Sequence, residues 1–167
     1  LVLFSRRGAN TLEILISVCI MMSNAGYFIL SCARNLEEAV LANAMAYIGG
    51  LFLPLLIVYI LIDYSDSKVP TWFSITILVM NIIVFLSTLL TDRIPLFYSS
   101  LKFIEGDPSI LMKEPGSIYY IRYIILAVEV GLAAFFTILT YLGKRTASFR
   151  LMMTYAGSLF GVLVVYL

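Results

Sequence analysis

A chain of 167 residues that is 62% hydrophobic and 13% charged is not built like a soluble domain, which runs roughly 45–50% apolar and about 25% charged. At a mean hydropathy of +1.01, water would leave large apolar patches bare, whereas lipid matches them. The net charge of +1 gives no pull toward nucleic acid, and the absence of histidine removes His metal ligands, His bases and a His phosphoacceptor from this stretch.

In chain order, Leu1–Phe4 are apolar and stop at Ser5-Arg6-Arg7-Gly8, like the tail of a helix. The final run is still apolar at Leu167, so both ends are expected to be truncations of a longer chain. No basic region precedes a short apolar core with a small-residue cleavage site, so no cleavable signal peptide is visible. A spanning helix needs about 20 mostly apolar residues. Five stretches meet that need: Thr11–Ala33, Ala39–Ile62, Trp72–Leu90, Ile118–Leu142 and Phe149–Leu167. They are apolar all round rather than alternating, which argues for helices and against a membrane β-barrel. The expected fold is an all-α integral membrane bundle of about five spans. Cys19 and Cys32, thirteen residues apart on one helix, cannot bridge to each other. Both read as small buried apolar residues.

The connections carry further signals. Arg34-Asn35-Leu36-Glu37-Glu38 places Asn35 as an N-cap with two acids in the first helical turn. Asp63–Thr71 is short and contains Pro70; Gly143–Ser148 is short and basic. Asp92–Ser117 is long, which in a compact domain marks function or a cap. Within it, Leu101-Lys102-Phe103-Ile104 and Ser109-Ile110-Leu111-Met112 flank the turn signal Glu105-Gly106-Asp107-Pro108, so a small β-hairpin is predicted. Pro115-Gly116 should break the chain before the next helix. Basic residues are split almost evenly between the two sides. The densely basic links Ser5–Gly8 and Gly143–Arg150 favour the cytoplasm, which puts the long loop outside.

At Asn35–Pro54 the sequence resembles the N-terminal seven-transmembrane region of bacterial sensor histidine kinases, a module found also ahead of diguanylate cyclases. The resemblance rests on an acidic segment leading into a helix with Tyr47, Gly49 and Pro54, on Arg6-Arg7-Gly8-Ala9, on Pro95-Leu96-Phe97-Tyr98 and on Tyr119-Tyr120. Pro115-Gly116 departs from the pattern, which would have Gly before Pro. The resemblance covers nearly the whole chain and implies one transmembrane sensory domain over 1–167, with its helices the second to sixth of seven. It implies a multi-pass protein of the bacterial inner membrane, a homodimer whose partners are the bilayer, a small-molecule or membrane signal, and a C-terminal effector. No catalytic motif is present, so this fragment is not expected to be an enzyme, and no cofactor or metal is expected.

Single residues then stand out. Glu129 lies in the middle of the fourth span, where an ionisable group costs about 2.5–3.5 kcal/mol on insertion scales. It reads either as a signal-relay or proton-sensing carboxyl, or as a protonated acid held for packing, with Asn81 and Asn24 as candidate partners. Tyr47, Gly49, Gly50 and Pro54 share one helix and read as close packing or as a hinge. Arg34, Glu37, Glu38, Tyr98, Tyr119 and Arg122, with Arg93, Lys102 and Tyr120 beside them, are candidates to line a ligand pocket at the outer mouth; the alternative is a solvated rim with Arg122 snorkelling to the interface. The competing function is a transporter or channel subunit, which would show broken helices and a polar midplane site. A structural anchor remains a third reading, and an intramembrane enzyme finds no paired acids or nucleophile–base spacing to support it.

Overall fold

The computed structural model describes residues 6–65, 67–91, 94–106 and 108–142, with 153, 154 and 157 beyond them; for 6–10 only the backbone is described. Four helices, α1 (Arg6–Cys32), α2 (Leu36–Tyr64), α3 (Thr71–Leu89) and α4 (Tyr119–Leu142), dominate it. Each is long and apolar enough to cross a membrane, and they match the first four predicted spans closely. The fifth, Phe149–Leu167, lies outside the described residues except at three positions, as do Asp66, Asp92, Arg93, Asp107 and the basic link 143–150. Between α3 and α4 stands an antiparallel hairpin of β1 (Tyr98–Ile104) and β2 (Ile110–Pro115).

α2 is the central helix. Of its apolar window 72% is buried, against 11%, 33% and 39% for α1, α3 and α4, as expected for a helix that is apolar on every side. Its start is the predicted Asn35 cap: Asn35 Oδ1 accepts from the Glu38 backbone N–H at 2.9 Å. Glu38 answers by accepting from Asn35 Nδ2 and from the Arg34 backbone N–H, each at 2.9 Å. The Asn35 side chain thus satisfies one backbone donor that the first helical turn leaves orphaned, and Glu38 in return ties down the residues that lead into the helix.

Small residues set how α1 meets α2. Leu12, Cys19 and Gly26 recur every seven residues and are the buried stripe of α1. A Cβ at Gly26 would lie 2.8 Å from the Ala42 carbonyl oxygen, and one at Gly49 would lie 2.7 Å from Ser23 Oγ. Ser23 Oγ donates to the Ala46 carbonyl at 3.0 Å across the same seam. Lipid gives no hydrophobic drive between helices, so such close backbone approach is what holds them. α4 presents one face inward: Arg122, Ile125, Leu126, Glu129, Ala133, Phe136, Thr137 and Thr140 are buried, at the i, i+3, i+4, i+7 spacing of a helical stripe.

The hairpin caps one end of the bundle. Its register runs from Tyr98 opposite Pro115 to Ile104 opposite Ile110, longer at the base than the predicted strands. Ser109 donates its backbone N–H to the Ser31 carbonyl at 3.1 Å and its hydroxyl to the Leu30 carbonyl. The hairpin thereby caps carbonyls that the end of α1 leaves open. Leu111 packs with Ala33 and Ala39, and Gly116 N–H closes the base onto the Phe97 carbonyl at 2.8 Å. The two cysteines are free, but only Cys19 is buried. Cys32 is exposed, contrary to the sequence expectation, because it sits in the last residue of α1, off the stripe that faces α2.

Candidate functional site

Polar side chains that hydrocarbon cannot solvate must find partners inside the bundle, and here they gather in two places. The first lies beneath the hairpin. α2 supplies Asn43 and Tyr47, one turn apart and both buried. The Tyr47 hydroxyl shares a hydrogen bond with the Tyr98 hydroxyl of β1. Phe97, fully buried, packs edge-on against Tyr47 at 5.3 Å between ring centroids and against Tyr119 at 5.4 Å. From α4, the Arg122 guanidinium lies 4.6 Å from the Tyr47 ring centroid and 5.9 Å from that of Tyr123. From β2, Lys113 Nζ donates to Asn43 Oδ1 at 2.9 Å. Tyr119 and Tyr123 join hydroxyls at 3.1 Å. Of these groups Asn43, Tyr47, Lys113, Tyr119, Arg122 and Tyr123 line a partly open cavity of about 170 Å³.

The charges there are unusual. Arg122 is only 5% exposed. Lys113 is an exposed residue of the strand, yet its ammonium end is turned to Asn43, and loss of water together with the nearby Arg122 charge holds its pKa below the ordinary lysine value. Burial, then the neighbouring Tyr47, pushes the Tyr98 phenol far above its usual range, with Asn43 opposing weakly. Tyr98 is therefore held as a neutral phenol, and two cations, Lys113 and Arg122, line one cavity. A larger cavity of about 700 Å³ opens between the start of α2, the end of α3 and β1; Glu37, Val40, Leu41, Tyr98 and Leu101 are among its walls.

The second place is inside the span. Asn81 Nδ2 donates to Glu129 Oε1 at 2.8 Å and to the Ile77 carbonyl at 3.1 Å. Both residues are essentially inaccessible, Glu129 at 1% and Asn81 at 0% exposure. Asn81 Oδ1 has no hydrogen-bond partner among the described residues. Alongside, the Tyr59 hydroxyl of α2 donates to the Ser74 carbonyl of α3 at 2.6 Å. Arg122 and Glu129 are seven residues apart on the inner stripe of α4, so one helix face carries both polar places.

Of the outer-mouth candidates, Tyr98, Tyr119 and Arg122 meet in the cluster, and Tyr47, expected as a relay residue, joins them there. Arg122 does not snorkel: it points inward and stacks on Tyr47, because its position falls on the buried stripe of α4. Glu37 lines the larger cavity. Glu38 is engaged in the α2 cap beside Arg34, both exposed, while Lys102 and Tyr120 also face outward. Asn24 is exposed on α1, leaving Asn81 as the partner of Glu129. Gly49 makes the close approach expected of it. Pro54 is buried inside a continuous α2; it cannot supply the N–H that the Gly50 carbonyl would otherwise accept, and Gly50 lines the small cavity. Sequence reasoning missed Asn43, Lys113 and Tyr123 as cluster members. Asn43 was findable from its i, i+4 spacing to Tyr47, and Tyr123 from its place one turn after Tyr119. Among the described residues, no group of three or more Cys, Asp or Glu gathers where a metal ion would sit.

Residues 1–167 match the family described as the N-terminal 7TM region of histidine kinase. No match is found among curated proteins or among solved structures.

Proposed function

The chain belongs to the N-terminal seven-transmembrane region of histidine kinases, a transmembrane sensory input region of a multi-pass membrane protein, and on that premise we propose how it senses. The hairpin end faces outward and receives a signal in the cluster of Tyr47, Tyr98, Tyr119 and Arg122. Helix movement then carries the signal to a C-terminal cytoplasmic effector, the kinase. The four described helices and the apolar run Phe149–Leu167 act as the second to sixth spans of the module, in the inner membrane of a bacterium and in a homodimer.

One observation carries this reading. α4 presents Arg122 to the cavity and, two turns further in, Glu129 to Asn81 of α3. Any displacement of Arg122 along or about the helix axis must be taken up at the Glu129–Asn81 bridge. Helix shifts of about 1–2 Å are a common switching device. On α2, Tyr47 lines the same cavity while Gly49 packs against Ser23 of α1, so α2 is the second mover. A ligand shifts the balance only by the difference in its affinity for the two arrangements. Transport finds no comparable support: the polar bridge spans continuous helices, with no interrupted segment among the described residues.

The test is a full-length reporter of kinase output. Glu129→Gln keeps an acceptor for Asn81 and is expected to preserve membrane insertion while altering the dose response. An unchanged dose response would remove Glu129 from the relay.

A further inference from the structure

We propose that the larger cavity, between the start of α2, the end of α3 and β1, binds a small amphipathic amine, with Glu37 pairing with the ammonium group and aliphatic side chains holding the apolar body. The inference rests on the sensory reading and supplies the chemical class of its signal. At about 700 Å³ the cavity falls within the roughly 300–1,000 Å³ of sites for small organic ligands, which are mostly apolar with a few polar groups. Its walls fit that description: Leu36, Val40 and Leu41 of α2, Leu89 of α3 and Leu101 of β1 line it.

Most polar groups of the wall are engaged elsewhere. The Thr91 hydroxyl donates to the carbonyls of Ser87 and Thr88 at 3.0 and 2.9 Å. Tyr98 shares its hydroxyl with Tyr47. Glu37 is different. Its neighbour Glu38 is tied into the Asn35 cap, where it answers the partial positive charge at the start of α2. No hydrogen bond or ion pair to Glu37 forms among the described residues, and the described lining holds no Lys or Arg. A carboxylate without a counter-ion on an apolar wall suits a cation carried on an apolar body, and it repels an anion. Leu36, Leu41 and Leu89 are exposed at the hairpin end of the bundle. An amphiphile can therefore enter from the headgroup layer, its charged end toward water. Tyr98 then links occupancy to signalling. It is a wall of this cavity, it is bonded to Tyr47, and Arg122 of α4 lies over the Tyr47 ring. A guest that displaces Tyr98 disturbs that contact and, through it, the helix bearing Glu129.

The full-length kinase in lipid nanodiscs is titrated at neutral pH with hexylamine, and with hexanol and hexanoate as neutral and anionic probes of the same length. Thermal stability and autophosphorylation are read together. Hexylamine is expected to raise the melting temperature in a dose-dependent way and at lower concentration than either other probe. Glu37→Gln, at an exposed position, should cut hexylamine affinity by up to about fivefold, the scale of an exposed ion pair, and leave hexanol unmoved. Leu41→Ala, also exposed, should weaken both several-fold through lost apolar contact. Nanodiscs with and without phosphatidylethanolamine name the source: hexylamine binding lost only when that lipid is present assigns the site to a lipid headgroup amine, and binding in both assigns it to a soluble amine. The proposal is overturned if hexylamine stabilises the wild type in neither nanodisc, if hexanol or hexanoate acts equally, or if Glu37→Gln keeps the full preference for the amine. A cavity filled by another span of the full chain gives the first of these results. Amine binding without any change in autophosphorylation would uphold the site and sink the sensory reading. Autophosphorylation that answers another stimulus, with no amine bound, would do the reverse.

Discussion

At the scale of single residues, the Glu129–Asn81 bridge is the most exacting feature of the bundle. A hydrogen bond between buried side chains in a membrane contributes about 0.6 kcal/mol on average and up to about 1.7 kcal/mol. Leaving one partner orphaned costs about 1–3 kcal/mol. Asn81→Leu alone strands the carboxyl of Glu129, whereas Asn81→Leu with Glu129→Leu strands nothing. The double variant is therefore expected to be more stable than the Asn81→Leu single variant. Unfolding of all four species in a mixed-micelle denaturant series gives the coupling energy directly, and a coupling of zero would mean that the observed 2.8 Å contact is energetically idle. A lone acid in an apolar run was readable from the sequence, and so was its amide partner among two candidates. For Arg122 the snorkelling alternative came from its closeness to the helix end, and burial of the side chain rules that alternative out. Its spacing to Glu129 is the better guide, since residues seven apart share a helical face.

At the scale of elements, the α1–α2 seam and the Pro54 segment make separate predictions. Gly26→Ala places a methyl against the backbone of Ala42 and Ala46, where no flexible side chain can yield. A loss of roughly 1–3 kcal/mol is expected from overpacking, seen as a lower melting temperature in detergent. Gly131→Ala is the internal control: nothing lies within 4 Å of its would-be Cβ, and α4 should gain up to about 1 kcal/mol in helix propensity. Equal effects at the two sites would mean that α1 and α2 do not approach as described. Pro54→Ala restores a donor to the Gly50 carbonyl beside the small cavity. If α2 is a hinge, the variant should bind its ligand but respond less; wild-type activation would leave Pro54 a packing residue only. Helix positions were legible because each run is long and apolar, and the Asn35 cap because an amide-then-acid spacing has one common use. The hairpin was legible from its turn, but not its docking. Which carbonyls Ser109 would cap, and that Lys113 would reach Asn43, depend on where β2 falls against α1 and α2, which no local spacing encodes.

At the scale of the whole molecule, the open question for function is which side of the membrane the hairpin occupies. A two-stranded sheet has unpaired backbone edges, and hydrocarbon does not tolerate them, so the hairpin must stand in water or at the headgroups. Alone it would be only marginally stable; its bonds to Leu30 and Ser31 hold it on the bundle. Basic residues near the helix ends are nearly balanced, and only the concentrated Arg6-Arg7 and Lys144-Arg145 pairs tip the count toward an outside hairpin. Direct labelling decides more sharply than that count. In a Cys32→Ser background, which removes the exposed native thiol, Lys102→Cys on β1 and Lys68→Cys between α2 and α3 place single thiols at exposed positions toward opposite ends. A membrane-impermeant maleimide added to intact cells is expected to label Lys102→Cys at once and Lys68→Cys only after permeabilisation. The inverse pattern would turn the cavity with Arg122 and Lys113 toward the cytoplasm. The ligand would then be an internal metabolite, and the chain would report on the cell's own interior rather than on its surroundings.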